Sequence, residues 1–331
     1  MLVLFRTIII MSIFILTSCS KDQGMTNSIL NEKPVFELKI HSFGTRYDIL
    51  VNGIMAHDDG NGQSQITMKL PINHWMRSGK NTLELIVYPD NEGISIVEQS
   101  EIKAELYVHN KGETEEHRVG GFVFKGISHL DKASYEGYRL NPETFERNDE
   151  GIIVVSDVTE TKDTIFDGVY EFSQTFDIPN NLPLWKFFES DNVPEIEYED
   201  ESRRDEFWEL SREMVKDLLV PIQDAILSGR LDSVMPLFAE RNQETDLAFY
   251  KEPGTTEKEL RYAFTEDVKD LNMRPVTEKK IGYVYEKGLK LAGLYGGNRK
   301  GAIGGNYKDG GGSLTFPIIF RLQDGKWIIT R

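Results

Sequence analysis

The 331-residue chain holds a single cysteine, Cys19. A disulfide framework and any Cys-rich zinc or iron–sulfur centre are thereby excluded. Histidine is scarce and one-sided. His41, His57, His74, His109, His117 and His129 all precede residue 130, and the remainder of the chain has none. A histidine dyad therefore cannot be built from the C-terminal half. Positive charge is in deficit, with 38 Lys+Arg against 54 Asp+Glu and a formal net charge of −16. Nucleic-acid binding needs a basic face that displaces counterions, so nucleic acid is not an expected partner. No Gly-x-Ser-x-Gly nucleophile elbow occurs. No uninterrupted apolar run reaches the ~20 residues that span a bilayer as a helix. What remains, 39 % hydrophobic and 28 % charged, is the composition of a folded acidic protein long enough for two domains.

The most specific signal stands at the start. Arg6 is the only charge before Lys21, and residues 8–16 are apolar apart from Ser12. That length suits the h-region of a signal peptide. The run passes into Leu16-Thr17-Ser18-Cys19, a small-residue cleavage site with cysteine immediately after it. This arrangement resembles the lipobox of bacterial lipoprotein precursors. The resemblance implies diacylglycerol transfer to the Cys19 thiol, removal of residues 1–18 and acylation of the new N-terminus. Several acyl chains anchor firmly, each buried methylene contributing ~0.8 kcal/mol. The membrane, reached through Cys19, is thus the first expected partner. The resemblance also implies a cell-envelope location facing the periplasm. In a Gram-negative envelope, Ser20 in place of Asp favours the outer membrane. Residues 19–33 are polar and aperiodic, as a tether would be.

From 34 to 178 the dominant period is two. Phe36, Leu38 and Ile40 alternate with Glu37 and Lys39, and Ile102, Ala104, Leu106 and Val108 alternate with Lys103, Glu105 and Tyr107. Comparable runs include Tyr47-Ile49-Val51, Ile66-Met68-Leu70, Leu83-Leu85-Val87 and Tyr170-Phe172, divided by Gly/Asn/Asp turns. Strict alternation puts one face in a core and one in water, which predicts an antiparallel β-sandwich. Trp75 ahead of Gly79-Lys80-Asn81 and the alternating strand after it resemble a strand-turn-strand unit of jelly-roll accessory domains.

Residues 179–205 change character. Pro179, Pro183 and Pro194 interrupt periodicity in an acidic stretch, which reads as a linker or extended crossover. The C-terminal domain, 206–331, begins with helical spacing: Phe207, Leu210, Met214, Leu218, Ile222 and Ala225 share one face. Ser202 with Asp205 starts that helix, Pro221 kinks or divides it, and Gly229 ends it. Asp232 caps a second helix over 233–241, and Thr256 with Glu259 forms a capping box for a third over 257–271. After Pro275 the period returns to two, through Ile281-Tyr283-Tyr285, Leu289-Leu291, Leu314-Phe316-Ile318-Phe320-Leu322 and Trp327-Ile329. Three helices followed by an antiparallel sheet make an α+β unit. With the closing Phe320-Arg321 … Asp324-Gly325-Lys326-Trp327 hairpin, this order resembles the cone-shaped NTF2-like fold.

Candidate chemistry is sparse. His109 and His117 flank a hairpin loop, where metal binding competes with plain solvation. His57-Asp58-Asp59-Gly60-Asn61-Gly62 offers carboxylates but lacks EF-hand spacing, and any tight turn uses the same residues. Neither metal nor cofactor is expected. Residues 288–312 hold ten of the 28 glycines together with Arg299, Lys300 and Lys308. They read as hairpin loops, with ligand or partner contact as the sharper alternative. Tyr262, Tyr283, Tyr285 and Trp327 are candidates for a pocket, with Asp267 as a conceivable carboxylate beside them, against the plainer reading as core.

Two functions are compatible with these features. One is a lipid-anchored, non-enzymatic envelope protein that recognises another protein, in the general build of lipoproteins that neutralise toxins. The other is an envelope enzyme or small-ligand carrier using a C-terminal cavity. Mass spectrometry of the membrane-extracted protein is expected to find acylated Cys19 at the mature N-terminus, and Cys19→Ser should release the chain from the membrane.

Overall fold

The structure is a computed structural model that describes residues 33–59, 65–88, 100–125, 139–140, 154–155, 159–162, 169–178, 182–193, 209, 212–276, 281–285, 290–296 and 300–331. The signal segment with Cys19, nearly all of the tether, the Ser202–Asp205 helix start, residues 60–62 and Arg299 lie outside them. The chain divides into two compact units, Met1–Asn52 with Ala56–Leu182, and Gly53–Met55 with Pro183–Arg331.

Apart from Ile54 and Met55 at the start of β3, the first unit holds the antiparallel strands β1 (Pro34–Phe43), β2 (Arg46–Val51), β3 (Ile54–Asp59), β4 (Ile66–Pro71), β5 (Gly79–Tyr88), β6 (Glu101–Asn110), β7 (His117–Lys125), β8 (Arg139–Leu140), β9 (Val154–Val155), β10 (Thr159–Lys162) and β11 (Tyr170–Ile178). One sheet runs β4-β1-β6-β7-β8, the other β10-β11-β5-β2-β3, with β9 beside β11. The alternation seen in the sequence is the cause. Phe36, Leu38 and Ile40 of β1, Ile102, Ala104 and Leu106 of β6, and Leu83, Leu85 and Val87 of β5 are all buried. Phe124 of β7 meets Phe172 of β11 across the sandwich, ring centroids 6.1 Å apart. β2 departs from simple alternation, because Asp48 and Leu50 are buried as well as Tyr47 and Ile49. Asp48 Oδ2 accepts the Tyr88 hydroxyl at 2.6 Å, which satisfies that carboxylate.

Three polar devices set the geometry. Asn73, fully buried in a short 3₁₀ turn (Asn73–Trp75), accepts from Phe36 N–H at 2.6 Å and donates to Pro34 C=O at 2.8 Å. Asn81 closes the turn before β5: its amide nitrogen donates to the carbonyls of Arg77 and Gly79, and its oxygen accepts from Arg77 N–H and from Asn52. Gly121 on β7 donates its N–H to Gln174 on the opposite sheet at 2.8 Å. A Cβ at Gly121, whose φ is +134°, would lie 2.2 Å from the Ala104 carbonyl oxygen, so only glycine fits beside the bulge at Leu106/Tyr107. On the outer face Lys39 and Lys69 both bond Glu116 and hold its carboxyl at about 2.

The second unit is α+β. A π-helical stretch (Met214–Leu219) runs into α1 (Val220–Ser228), with Pro221 in the first turn of α1. The proline thus marks a change of helical geometry, in keeping with its missing N–H. The second helix sits later than spacing predicts. Two 3₁₀ turns, Leu231–Ser233 and Met235–Phe238, precede α2 (Ala239–Ala248). The third, α3 (Thr255–Thr265), ends six residues short of expectation and passes through a 3₁₀ turn (Asp267–Asp270) into strand. Its N-terminus is capped from outside. Asp246 of α2 accepts from the N–H groups of Gly254 and Thr256 and from the Thr256 hydroxyl, where a local capping box was expected.

The expected single C-terminal sheet is two. The strands are β12 (Leu271–Met273), β13 (Ile281–Tyr285), β14 (Ala292–Gly296), β15 (Lys300–Gly301), β16 (Ile303–Tyr307), β17 (Ser313–Phe316), β18 (Ile319–Gln323) and β19 (Lys326–Ile329). One sheet is β12-β16-β17, the other β13-β14-β18-β19 with β15 beside β14. The run from Leu314 to Leu322 looks continuous in hydropathy, but Pro317 cannot donate to a ladder, and the chain changes sheet there.

Residues 183–193, inside the span read as linker, are packed within this unit. Trp185, Phe187 and Val193 are buried, and Asp191 N–H bonds Leu322 C=O at 3.0 Å.

Asn73→Ala should destabilise the first unit by about 1–3 kcal/mol for each of the two backbone groups it orphans. Urea denaturation should show a lower midpoint with an unchanged slope.

Candidate functional site

α1 ends on Gly229, whose φ of +71° lets Gly229 N–H reach Ile226 C=O at 3.3 Å and Arg230 N–H reach Ala225 C=O at 2.9 Å. This is a Schellman stop, and glycine supplies the left-handed step it needs. Beyond it the chain turns at Leu231. α3 presents Phe264, which packs edge-on to Phe238 at 5.7 Å and to Phe316 at 5.1 Å. The 3₁₀ turn after α3 then delivers β12 alongside. The C-terminus of α1, Phe264 and Thr265 of α3, Val268, Lys269, β12 and Lys308 enclose an open cleft of about 770 Å³. Its apolar wall includes Leu227, an exposed leucine, and Leu231, Val268 and Met273.

The electrostatics of the cleft run against those of the chain. Among the described residues, Lys269 and Lys308 line it and no Asp, Glu, His or Cys does, although the chain carries 54 acidic residues. Lys269 is neutralised locally by Glu266, both carboxylate oxygens lying 2.7 Å from its Nζ. Lys308 has a neutral partner: its Nζ donates to Lys269 C=O at 2.5 Å and its N–H to Asp270 C=O at 2.9 Å. The Ser228 and Thr265 hydroxyls are engaged by the carbonyls of Asp224 and Arg261. A smaller hollow of about 250 Å³ lies between α2 and α3, beside Asn242, Asp246 and Lys251. The Asp246 carboxylate there is held below the usual range. Burial pushes it up, and the Thr256 and Gly254 donors more than offset that.

The sequence candidates fall in different places. Lys308 lines the cleft. Tyr262 is 65 % exposed on α3, while Trp327 is buried in the core. Neither lines the cleft. Tyr283 and Tyr285 lie on β13 opposite Leu294 and Ala292, and Lys300 lies on β15; these three side chains are outside the described residues. Asp267 opens the 3₁₀ turn and is exposed. His57, Asp58 and Asp59 belong to β3 rather than to a turn, and burial lowers the His57 pKa. His117 pairs in register with Val108, while His109 bonds the Asn110 carbonyl. Among the described residues no group of three or more His, Cys, Asp or Glu side chains is placed to hold a metal ion. No described helix is long and apolar enough to cross a membrane.

Spacing missed β12, because residues 257–271 read as one helix. The available signal was Pro275, which disfavours helix in the residue ahead of it.

A buried ion-pair cluster holds α2 to the second sheet and to the C-terminal residue. Arg321 on β18 bonds Glu240 on α2 through two contacts, Nε–Oε1 at 2.6 Å and Nη2–Oε2 at 2.8 Å. Arg331 Nη1 meets Glu244 Oε2 at 2.6 Å and sits over the Phe187 ring at 4.7 Å. Lys186 N–H donates to Glu244 Oε1 at 2.9 Å. Burial raises the Glu240 pKa, but Arg321 and Lys186 bring it below its ordinary 4.5. A carboxylate with a depressed folded pKa stabilises above its unfolded pKa and loses that contribution as pH falls through the folded value. Arg321→Met should cost about 3–5 kcal/mol near neutrality, because it strands a buried carboxylate. That deficit should shrink as pH falls and the stranded Glu240 of the variant takes up a proton, which the Arg321-paired carboxylate does only at lower pH; chemical denaturation over a pH series measures both.

Comparison with known proteins finds no matching family model, no matching curated protein and no matching solved structure.

Proposed function

We propose that this chain is a lipid-anchored protein of the cell envelope that recognises a protein partner and carries out no chemistry on it. The observation that carries the recognition reading is the lining of the cleft. Among the described residues it joins an apolar wall and two lysines to a strand, without the carboxylate, imidazole or thiol on which acid–base or nucleophilic catalysis usually relies. Leu16-Thr17-Ser18-Cys19 supports the anchor and, through it, a periplasm-facing location. The general build is that of lipoproteins that neutralise secreted toxins. The order of three helices followed by antiparallel strands, closing on the Arg321–Trp327 hairpin, supports an NTF2-like relationship for the second unit. The strand-turn-strand segment through Trp75 and Asn81 supports a jelly-roll relationship for the first.

A second reading, a small-ligand carrier, has its own support. About 770 Å³ falls within the ~300–1,000 Å³ range of ligand pockets. Affinity capture with the detergent-extracted full-length protein separates the two. The expected result is a stoichiometric protein partner that is lost as salt rises, since exposed charges are screened within ~10 Å at 0.1 M. A bound metabolite in native mass spectrometry, with no protein recovered, overturns the proposal in favour of the carrier.

A further inference from the structure

We infer that β12 is a docking edge, and that an extended partner segment of alternating apolar and acidic residues adds to the β12-β16-β17 sheet as a fourth strand. The inference rests on the protein-recognition reading and names the kind of segment recognised.

The register decides which way the backbone of β12 points. Leu271, Asn272 and Met273 face Tyr307, Asn306 and Gly305. The flanking bonds are Lys308 N–H to Asp270 C=O and Arg274 N–H to Gly304 C=O. In an antiparallel ladder such bonds bracket non-hydrogen-bonded pairs at Leu271 and Met273, so those two residues turn their N–H and C=O away from β16. Among the described residues β12 is the end strand of its sheet. Leu271 N–H is used in closing the preceding 3₁₀ turn on Val268 C=O. Among the described residues, Leu271 C=O and both backbone groups of Met273 have no partner, and all three β12 residues line the cleft.

Such an edge is a template for another strand. Strand addition satisfies all three groups, which an acyl chain cannot do. The wall of Leu227, Leu231 and Phe264 offers the apolar surface that alternate side chains of an added strand require. Lys308, whose ammonium touches only a carbonyl among the described residues, supplies the counter-charge for a carboxylate. Among the described residues no carboxylate lines the cleft, and that of Glu266 beside it is already paired with Lys269.

The test is fluorescence anisotropy with the full-length protein in detergent and a labelled eight-residue peptide of alternating valine and glutamate. The peptide is expected to bind, more weakly as salt rises. An N-methylated version that cannot form the ladder should bind at least about tenfold more weakly, and a valine–lysine version should bind no better than that. Lys308→Glu should weaken binding by a similar factor. Met273→Pro removes the outward N–H, at an edge position where proline is tolerated, and should do the same. Melting temperatures report whether each variant is folded, and the N-methylated peptide tests the edge on the unaltered protein. Equal binding of the N-methylated or the lysine peptide overturns the inference. So does failure of the first peptide to bind, including the case in which dodecanoate occupies the cleft instead. If a captured protein partner is retained by Lys308→Glu and Met273→Pro, the edge is wrong while protein recognition stands. If no protein partner exists, the reading beneath it fails.

Discussion

A β-strand carries two rows of hydrogen-bonding groups, and each row must be paired or reach water. That requirement organises both units. In the first it assembles two antiparallel sheets whose inward rows of Phe, Leu, Ile and Val follow from alternation. Where the ladder is interrupted, side chains take over. Asn73 serves the backbone at Pro34 and Phe36, and Asn81 serves Arg77 and Gly79. In the second unit the same requirement makes Pro317 a point of exchange between sheets, because a residue without an N–H cannot sit inside a ladder. It also leaves β12 with one row facing a cleft.

Charge does the complementary work. On the first sheet Lys39 of β1 and Lys69 of the neighbouring β4 share Glu116, which lies just ahead of β7, an arrangement that hydrates a sheet face while contributing little to stability. The Arg321–Glu240 and Arg331–Glu244 pairs are different in kind, with side chains only 4–12 % exposed. Removing one partner leaves a charge that neither water nor protein satisfies. Their two-point geometry also fixes where α2 lies against β18, and Asp246 from the same helix caps α3. One helix thus orients the elements on either side of it, including the one that carries Phe264 into the cleft.

The cleft joins three kinds of contact that are weak alone: an apolar wall, an ammonium, and a strand edge open among the described residues. An acyl chain uses the wall alone and a lone anion the ammonium alone. An extended acidic segment uses all three.

Local chemistry in the sequence determined what depends on near neighbours. The period-two runs, the Gly229 stop and the 324–325 turn follow from side-chain direction and backbone sterics within a few residues. The α+β order of the second unit and the β-sandwich of the first were legible for the same reason. Tertiary structure decided what depends on distant partners. Spacing placed the second helix at 233–241 and the third as far as 271, while packing set them at Ala239–Ala248 and Thr255–Thr265. The Asp246 cap acts across 10 residues and the Arg321–Glu240 pair across 81. Tyr262 and Trp327 share an aromatic character that suggested one pocket, yet one faces solvent and the other the core. Among the described candidates Lys308 lines the cleft while Tyr262 and Trp327 do not, because a cleft is made by elements meeting in space, and hydropathy along a chain records period but not which edge is left open.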